Sequence, residues 1–192
     1  MIIGLAGRKG SGKSTVAEIL NDKFGYRTLS FATPLKEMLM AMGVTKEEIF
    51  NIDLKEKPLE RFGGKSPREL LQLLGTEFAR NMVCEDVWVK AIEARVEPND
   101  MIVLDDVRFP NEAEMIRDKG GKIIKVTRTG QELGMVDTHS SEAGIPLELI
   151  DHEIKNISCY VSDLEMSAVR VMEEILYYGS IFNTQSGGVA GQ

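Results

Sequence analysis

The sequence predicts an α/β fold built on a central parallel sheet of about five strands flanked by helices, and three observations carry that prediction. An apolar run, Ile2-Ile3-Gly4-Leu5-Ala6, leads directly into Gly7-Arg8-Lys9-Gly10-Ser11-Gly12-Lys13-Ser14. That octet satisfies the phosphate-loop pattern G-x-x-x-x-G-K-[ST] in the strand-to-helix setting it requires. Short apolar runs then alternate with amphipathic helical segments on both sides of a long helical stretch, as β-α-β units do. With 192 residues, 43% of them hydrophobic, the chain can bury one core and still carry a small inserted lobe.

Composition excludes several classes of partner. The net charge is −7, and no block of Lys or Arg is long enough to follow a nucleic-acid backbone, so a small anion is expected rather than a polymer. The longest apolar runs are short and broken by charge, and the N-terminus passes straight into a strand; no membrane partner and a cytoplasmic location are expected. Cys84 and Cys159 have no metal-ligand spacing and read as reduced thiols. Basic residues gather in two places. One is the loop itself, with Arg8, Lys9 and Lys13; the other is Lys55, Lys57, Arg61, Lys65 and Arg68, which suits an anion site and a solvated face equally well.

The first strand is Ile2–Ala6, apolar throughout as a strand buried on both faces should be. Glycines let the following loop turn tightly, so that its N–H groups converge on a phosphate at the positive end of the next helix. The candidate nucleotide-binding residues are therefore Gly7, Lys9, Gly10, Ser11, Gly12, Lys13, Ser14 and Thr15. Lys13 is placed to reach the β- and γ-phosphates of a bound nucleotide, and the Ser14 hydroxyl to ligate Mg²⁺. A helix over 13–23 ends at Gly25, residues 26–31 form a second strand, and Pro34 opens a helix that runs to Met42.

Between residues 45 and 96 the strand signal disappears. Thr45-Lys46-Glu47-Glu48 and Ser66-Pro67-Arg68-Glu69 are capping boxes, and Leu70, Leu71, Leu74 and Phe78 form a helical stripe after the second. A further helix is expected over 85–96. This excursion, 45–96, is the expected acceptor-binding lobe, with Arg61 and Gly63-Gly64 at a mobile connection. Trp88 and Phe78 fit either a stacking surface for a base or the filling of helix faces.

The sheet resumes at 101–104 and ends in Asp105-Asp106, a carboxylate at the strand end where the metal side of a phosphate-loop site needs one. Adjacent strand residues point to opposite faces, so one of the two is nearer the ion. Residues 111–119 read as a helix closed by Gly120-Gly121, and 123–127 as a strand from which Arg128 emerges at the ligand-binding edge, within reach of a transferring phosphoryl group. A polar, Gly-containing segment from 130 to 146 is the expected lid and contains His139. A strand over 153–157 precedes the capping box Ser162-Asp163-Leu164-Glu165 and a helix to about Tyr178; the tail 179–192 is expected to fray. Any acceptor that itself carries a phosphate would have to lie in line with the γ-phosphate, which calls for cations outside the loop.

Several of these motifs together resemble the phage-type deoxynucleoside monophosphate kinases: the phosphate loop, Ser30-Phe31-Ala32-Thr33-Pro34-Leu35-Lys36, Ser66-Pro67-Arg68-Glu69-Leu70-Leu71-Gln72, Asp106-Val107-Arg108-Phe109-Pro110-Asn111-Glu112 and His139-Ser140-Ser141-Glu142. The resemblance covers residues 1–176 and departs at Thr33 and Asp105. It implies the phosphate-loop fold of nucleoside monophosphate kinases, ATP with Mg²⁺, a deoxynucleoside monophosphate acceptor, a homodimer and, for a phage protein, the host cytoplasm. Within the matched motifs it implies Lys13, Asp106 and Arg108 at the chemistry, Lys36, Arg68, Arg108, His139, Ser141 and Glu142 on the acceptor, and Ser14 and Asp106 at the metal; outside those motifs the residues themselves add Arg128 to the chemistry, Arg61, Arg80 and Trp88 to the acceptor and Asp105 to the metal. A regulatory GTPase lacks support because no Asn-Lys-x-Asp motif is present, and a transporter ATPase because its signature helix start is missing. Another small-molecule kinase of the dephospho-coenzyme A or phosphomevalonate type, and a non-enzymatic ATP-binding switch, are the alternatives.

Overall fold

Strands β1 (Ile2–Ala6), β2 (Arg27–Leu29), β3 (Ile102–Val107), β4 (Lys122–Arg128) and β5 (His152–Asn156) pair in parallel in the order β2-β3-β1-β4-β5. The computed structural model describes residues 1–129, 144–158 and 160–186, with side chains as far as residue 178. Parallel neighbours need crossovers: α1 (Lys13–Phe24) follows β1 and α7 (Pro110–Asp118) follows β3, while α8 (Val161–Ser186) comes after β5, the last strand. β1 is central and buried along its whole length, as its unbroken apolar run requires.

By contacts the chain divides into two units, residues 1–29 with 99–192, and Ser30–Pro98. In the first, Ile3 and Leu5 of β1, Val16 and Leu20 of α1, and Leu164, Ala168 and Met172 of α8 pack into one cluster that contains the fully buried Tyr26. Gly121, between α7 and β4, sits where a Cβ would lie 2.5 Å from the Ile2 carbonyl oxygen and 2.8 Å from that of Ile116. Only glycine fits there, because both neighbours are backbone.

The second unit holds α2 (Thr33–Ala41), α3 (Lys46–Phe50), α4 (Ile52–Lys55), α5 (Pro67–Gln72) and α6 (Val87–Glu93). The sequence reading starts the inserted lobe at residue 45, but α2 belongs with this unit. Leu39 packs with Ile49, Leu59 and Leu70, and Leu35 with Ala79 and Trp88. Both expected capping boxes form: Thr45 with Glu48 at α3, and Ser66 with Glu69 at α5.

Other expectations are corrected. After α5 the chain widens into a π-helical segment, Leu73–Val83, which turns Gly75 and Ala79 inward and leaves Phe78 45% exposed. The expected stripe through Phe78 assumed the α period, which i→i+5 bonding abandons. The helix expected over 85–96 is the shorter α6. Strand β3 does not stop before its acids but runs through them to Val107. Helix α8 begins at Val161, so Ser162 lies inside its first turn rather than capping it, and it continues to Ser186, past the expected end near residue 178.

Candidate active site

The carboxyl ends of three adjacent strands, β3, β1 and β4, bring the first unit's candidates to one edge of the sheet. β1 delivers the loop Gly7–Ser14, and α1 starts at Lys13 with no side-chain cap and no acid in its first turn. Its first N–H groups are thus left to an incoming anion. Gly12 precedes the helix at φ 109°, a left-handed value glycine adopts at little cost, and a Cβ there would lie 2.9 Å from Asn156 Nδ2 and 3.2 Å from Leu164 Cδ2. Ser11 is 1% exposed, and its Oγ has no hydrogen-bond partner among the described residues. Lys13 Nζ donates to the carbonyls of Gly7 at 2.5 Å and Arg8 at 2.9 Å, holding its charge over the loop. Lys9 and Ser14 are exposed and Thr15 is half-buried.

Register on β3 slips by one residue opposite Gly4–Ala6, because Gly4 faces Leu104 while Ala6 faces Val107. Asp105 and Asp106 occupy that bulge and are half-buried. A bulge re-aims side chains that a regular strand would send to opposite faces, so the simple alternation expected from sequence does not hold here. Exposed Arg108 follows. The buried Glu112 carboxylate accepts from the N–H of Arg108 at 2.8 Å and of Phe109 at 3.1 Å, capping α7 and fixing the chain just after the acids. Exposed Arg128 is the last residue of β4, opposite Asn156 of β5. Two residues that the sequence reading did not place at the site therefore act on its backbone. Glu112 had only its position three residues after Phe109 to signal it, and Asn156 only its inward register beside Ile154.

In the second unit the candidate cations are each held by a partner. Arg68 Nε pairs with Glu56, Arg61 with Glu48 at 2.5 Å, and Arg80 donates to the Glu85 carbonyl at 3.2 Å. Lys36 lies over the Phe50 ring, 4.9 Å from its centre. The Arg61 guanidinium, joined by the Thr45 N–H, pulls the Glu48 carboxyl from 4.5 down to about 2. Trp88 is 6% exposed and its Nε1 donates to the Gly75 carbonyl at 2.8 Å. The indole is packed and satisfied, which removes it as a stacking surface and gives it the core role the sequence left open. His139, Ser141, Glu142 and most of the expected lid lie outside the described residues. Among those described, no cluster of three or more His, Cys, Asp or Glu suits a metal ion, and no helix is long and apolar enough to cross a membrane.

A profile of the deoxynucleotide monophosphate kinase family matches residues 44–166, nearly two thirds of the chain. A protein of Acanthamoeba polyphaga mimivirus, provisionally named a deoxynucleotide monophosphate kinase, is 32% identical over 95% of both chains. The chain belongs to the deoxynucleotide monophosphate kinase family. A second member, the deoxynucleoside-5'-monophosphate kinase of Escherichia phage T5, is 29% identical over 86% of this chain and 93% of its own. The family match starts beyond the phosphate loop and spans residues 44–166, so it does not depend on a motif common to many NTPases. Among solved structures, the dephospho-CoA kinase of Campylobacter jejuni superposes with a TM-score of 0.46 at 17% identity, over 91% of this chain and 96% of that one.

Proposed function

We propose that this protein transfers the γ-phosphoryl group of ATP to a deoxynucleoside monophosphate, giving the diphosphate and ADP. The observation that carries the reading is an uncapped phosphate loop at the carboxyl edge of the sheet, in a chain of this kinase family. Gly7, Lys9, Gly10, Ser11, Gly12, Lys13, Ser14 and Thr15 bind the donor phosphates, chiefly through backbone N–H groups. Lys13 exchanges two neutral carbonyl acceptors for phosphate oxygens, a stronger charge-assisted partner.

The donor set suits Mg²⁺: the Ser14 hydroxyl and the Asp105 and Asp106 carboxylates are hard oxygen ligands, and one or two carboxylates suffice beside phosphates and water. When bound, the ion supplies charge neutralisation at the transferring group. Asp106 is the nearer ligand, since it belongs to the Asp-x-Arg motif. Arg128 steadies the transferring group from the end of β4. Lys36, Arg68, Arg80 and Arg108 hold the acceptor phosphate, where an arginine fork fixes direction as well as charge. Arg68 would exchange Glu56 for a more highly charged phosphate, while Arg61, already paired with Glu48, supports the acceptor from the margin. His139, Ser141 and Glu142 complete the proposed set of acceptor-binding residues. The same reading makes the enzyme cytoplasmic and homodimeric.

A panel of deoxy- and ribonucleoside monophosphates, each incubated with ATP and Mg²⁺ and assayed for diphosphate, tests the proposal. Diphosphate from at least one deoxynucleotide is expected; ATP binding without turnover on any member of the panel would refute it.

A further inference from the structure

At the carboxyl end of β5, Asn156 ties together two parts of the candidate site. Its Nδ2 donates to the Ser11 carbonyl at 3.0 Å, a buried bond between residues 145 positions apart. Its own carbonyl accepts from the Thr129 N–H at 3.2 Å, one residue past Arg128, which faces Asn156 across the β4–β5 pair. Asn156 is only 9% exposed, on the same face of β5 as the core residue Ile154. Packing alone would be better served there by an aliphatic side chain, because a buried amide is costly unless hydrogen-bonded.

The bond has a geometric consequence. In a trans peptide the carbonyl and the next N–H point in opposite directions. Drawing the Ser11 carbonyl towards β5 therefore turns the Gly12 N–H away from it, to the side where the uncapped start of α1 gathers its donors. A Cβ at Gly12 would lie 2.9 Å from the Asn156 Nδ2, so the bond depends on glycine at this position. We infer that Asn156 is a positioning residue for phosphoryl transfer: it holds the phosphate loop in its anion-binding geometry through Ser11, and keeps the loop in register with the strand that carries Arg128. This rests on the loop being the ATP site proposed above.

The test compares wild type with Asn156→Ala, Asn156→Asp and Met172→Ala, the last a truncation in the same core cluster on α8 that leaves the loop bonds intact. Two quantities are read: hydrogen–deuterium exchange of a peptide spanning residues 7–14, and the Kd for ATP by calorimetry, supplemented by KM for each substrate. Both Asn156 variants should exchange faster in that peptide and bind ATP about tenfold more weakly or worse, the cost of an unsatisfied buried carbonyl. Asn156→Asp should be the poorer, since its carboxylate offers no N–H and faces an oxygen. The monophosphate KM should stay within about twofold, as expected when only donor-site geometry is lost. Met172→Ala should lower Tm while keeping loop exchange and ATP affinity. Should the alanine variant not fold, Asn156→Ser replaces it, with the same expectations. Normal exchange and ATP affinity in a folded Asn156 variant, or equal losses in Met172→Ala, would overturn the inference. A wild type that does not bind ATP would instead strike at the functional reading, and the exchange data would still decide the part played by Asn156.

Discussion

Lys13 is half-buried at the start of α1 and bonds the carbonyls of Gly7 and Arg8, so its removal should leave the protein folded. On the proposed role of Lys13 at the transferring group, Lys13→Ala should lower kcat roughly 10²-fold or more, with Tm nearly unchanged, because it would delete that charge and little packing. Steady-state turnover and a thermal melt on one preparation check both halves of that expectation. The loop was legible in the sequence because its pattern encodes backbone geometry directly: glycines for the turn, a lysine and a serine at fixed offsets. Asn156 was not, since its partner Ser11 is distant in the chain and a single polar residue near a strand end has many ordinary explanations. Trp88 was ambiguous until its Nε1 was seen to be satisfied by the Gly75 carbonyl.

Capping shows how local chemistry sets where elements start. Ser66 is buried, its Oγ accepts from Glu69 N–H at 3.2 Å, and its own N–H donates to Glu69 Oε2 at 2.8 Å. Ser66→Ala should cost about 1 kcal/mol, or a Tm loss of roughly 2–4 °C in a chain of this size, read by calorimetry or circular dichroism. A shift of that size places the effect on α5 alone, whereas a much larger one would mean that the segment after it depends on the cap. That segment, Leu73–Val83, is where sequence periodicity failed, because nothing in a 3.6-residue stripe signals i→i+5 winding. The bulge at Asp105-Asp106 escaped for a related reason. It is a property of the pairing between β1 and β3, which the β3 sequence alone, read as a strand that ends at the acids, does not signal.

The parallel sheet and an inserted helical lobe could be foreseen from the apolar strands and the helical stretch between them, whereas where that lobe begins could not. α2 follows β2 as any crossover helix would, yet Leu35 and Leu39 bury against Trp88 and Ile49 rather than in the cluster under the sheet. Which core a helix joins depends on distant partners, and amphipathicity along the chain is silent on that choice. The crowded contact at Gly121 extends across the chain's tolerance of change. A saturation scan for growth or activity should rank Gly121 as intolerant as Gly12, although it lies at the opposite end of β4 from Arg128. Purified variants should separate the two. Gly121→Ala should lose stability by at least about 1–3 kcal/mol while each folded molecule remains active, since the new methyl meets two backbone oxygens that cannot swing aside. Invariance in such a map would therefore mark two unrelated demands, one for room at the closing of a crossover and one for chemistry.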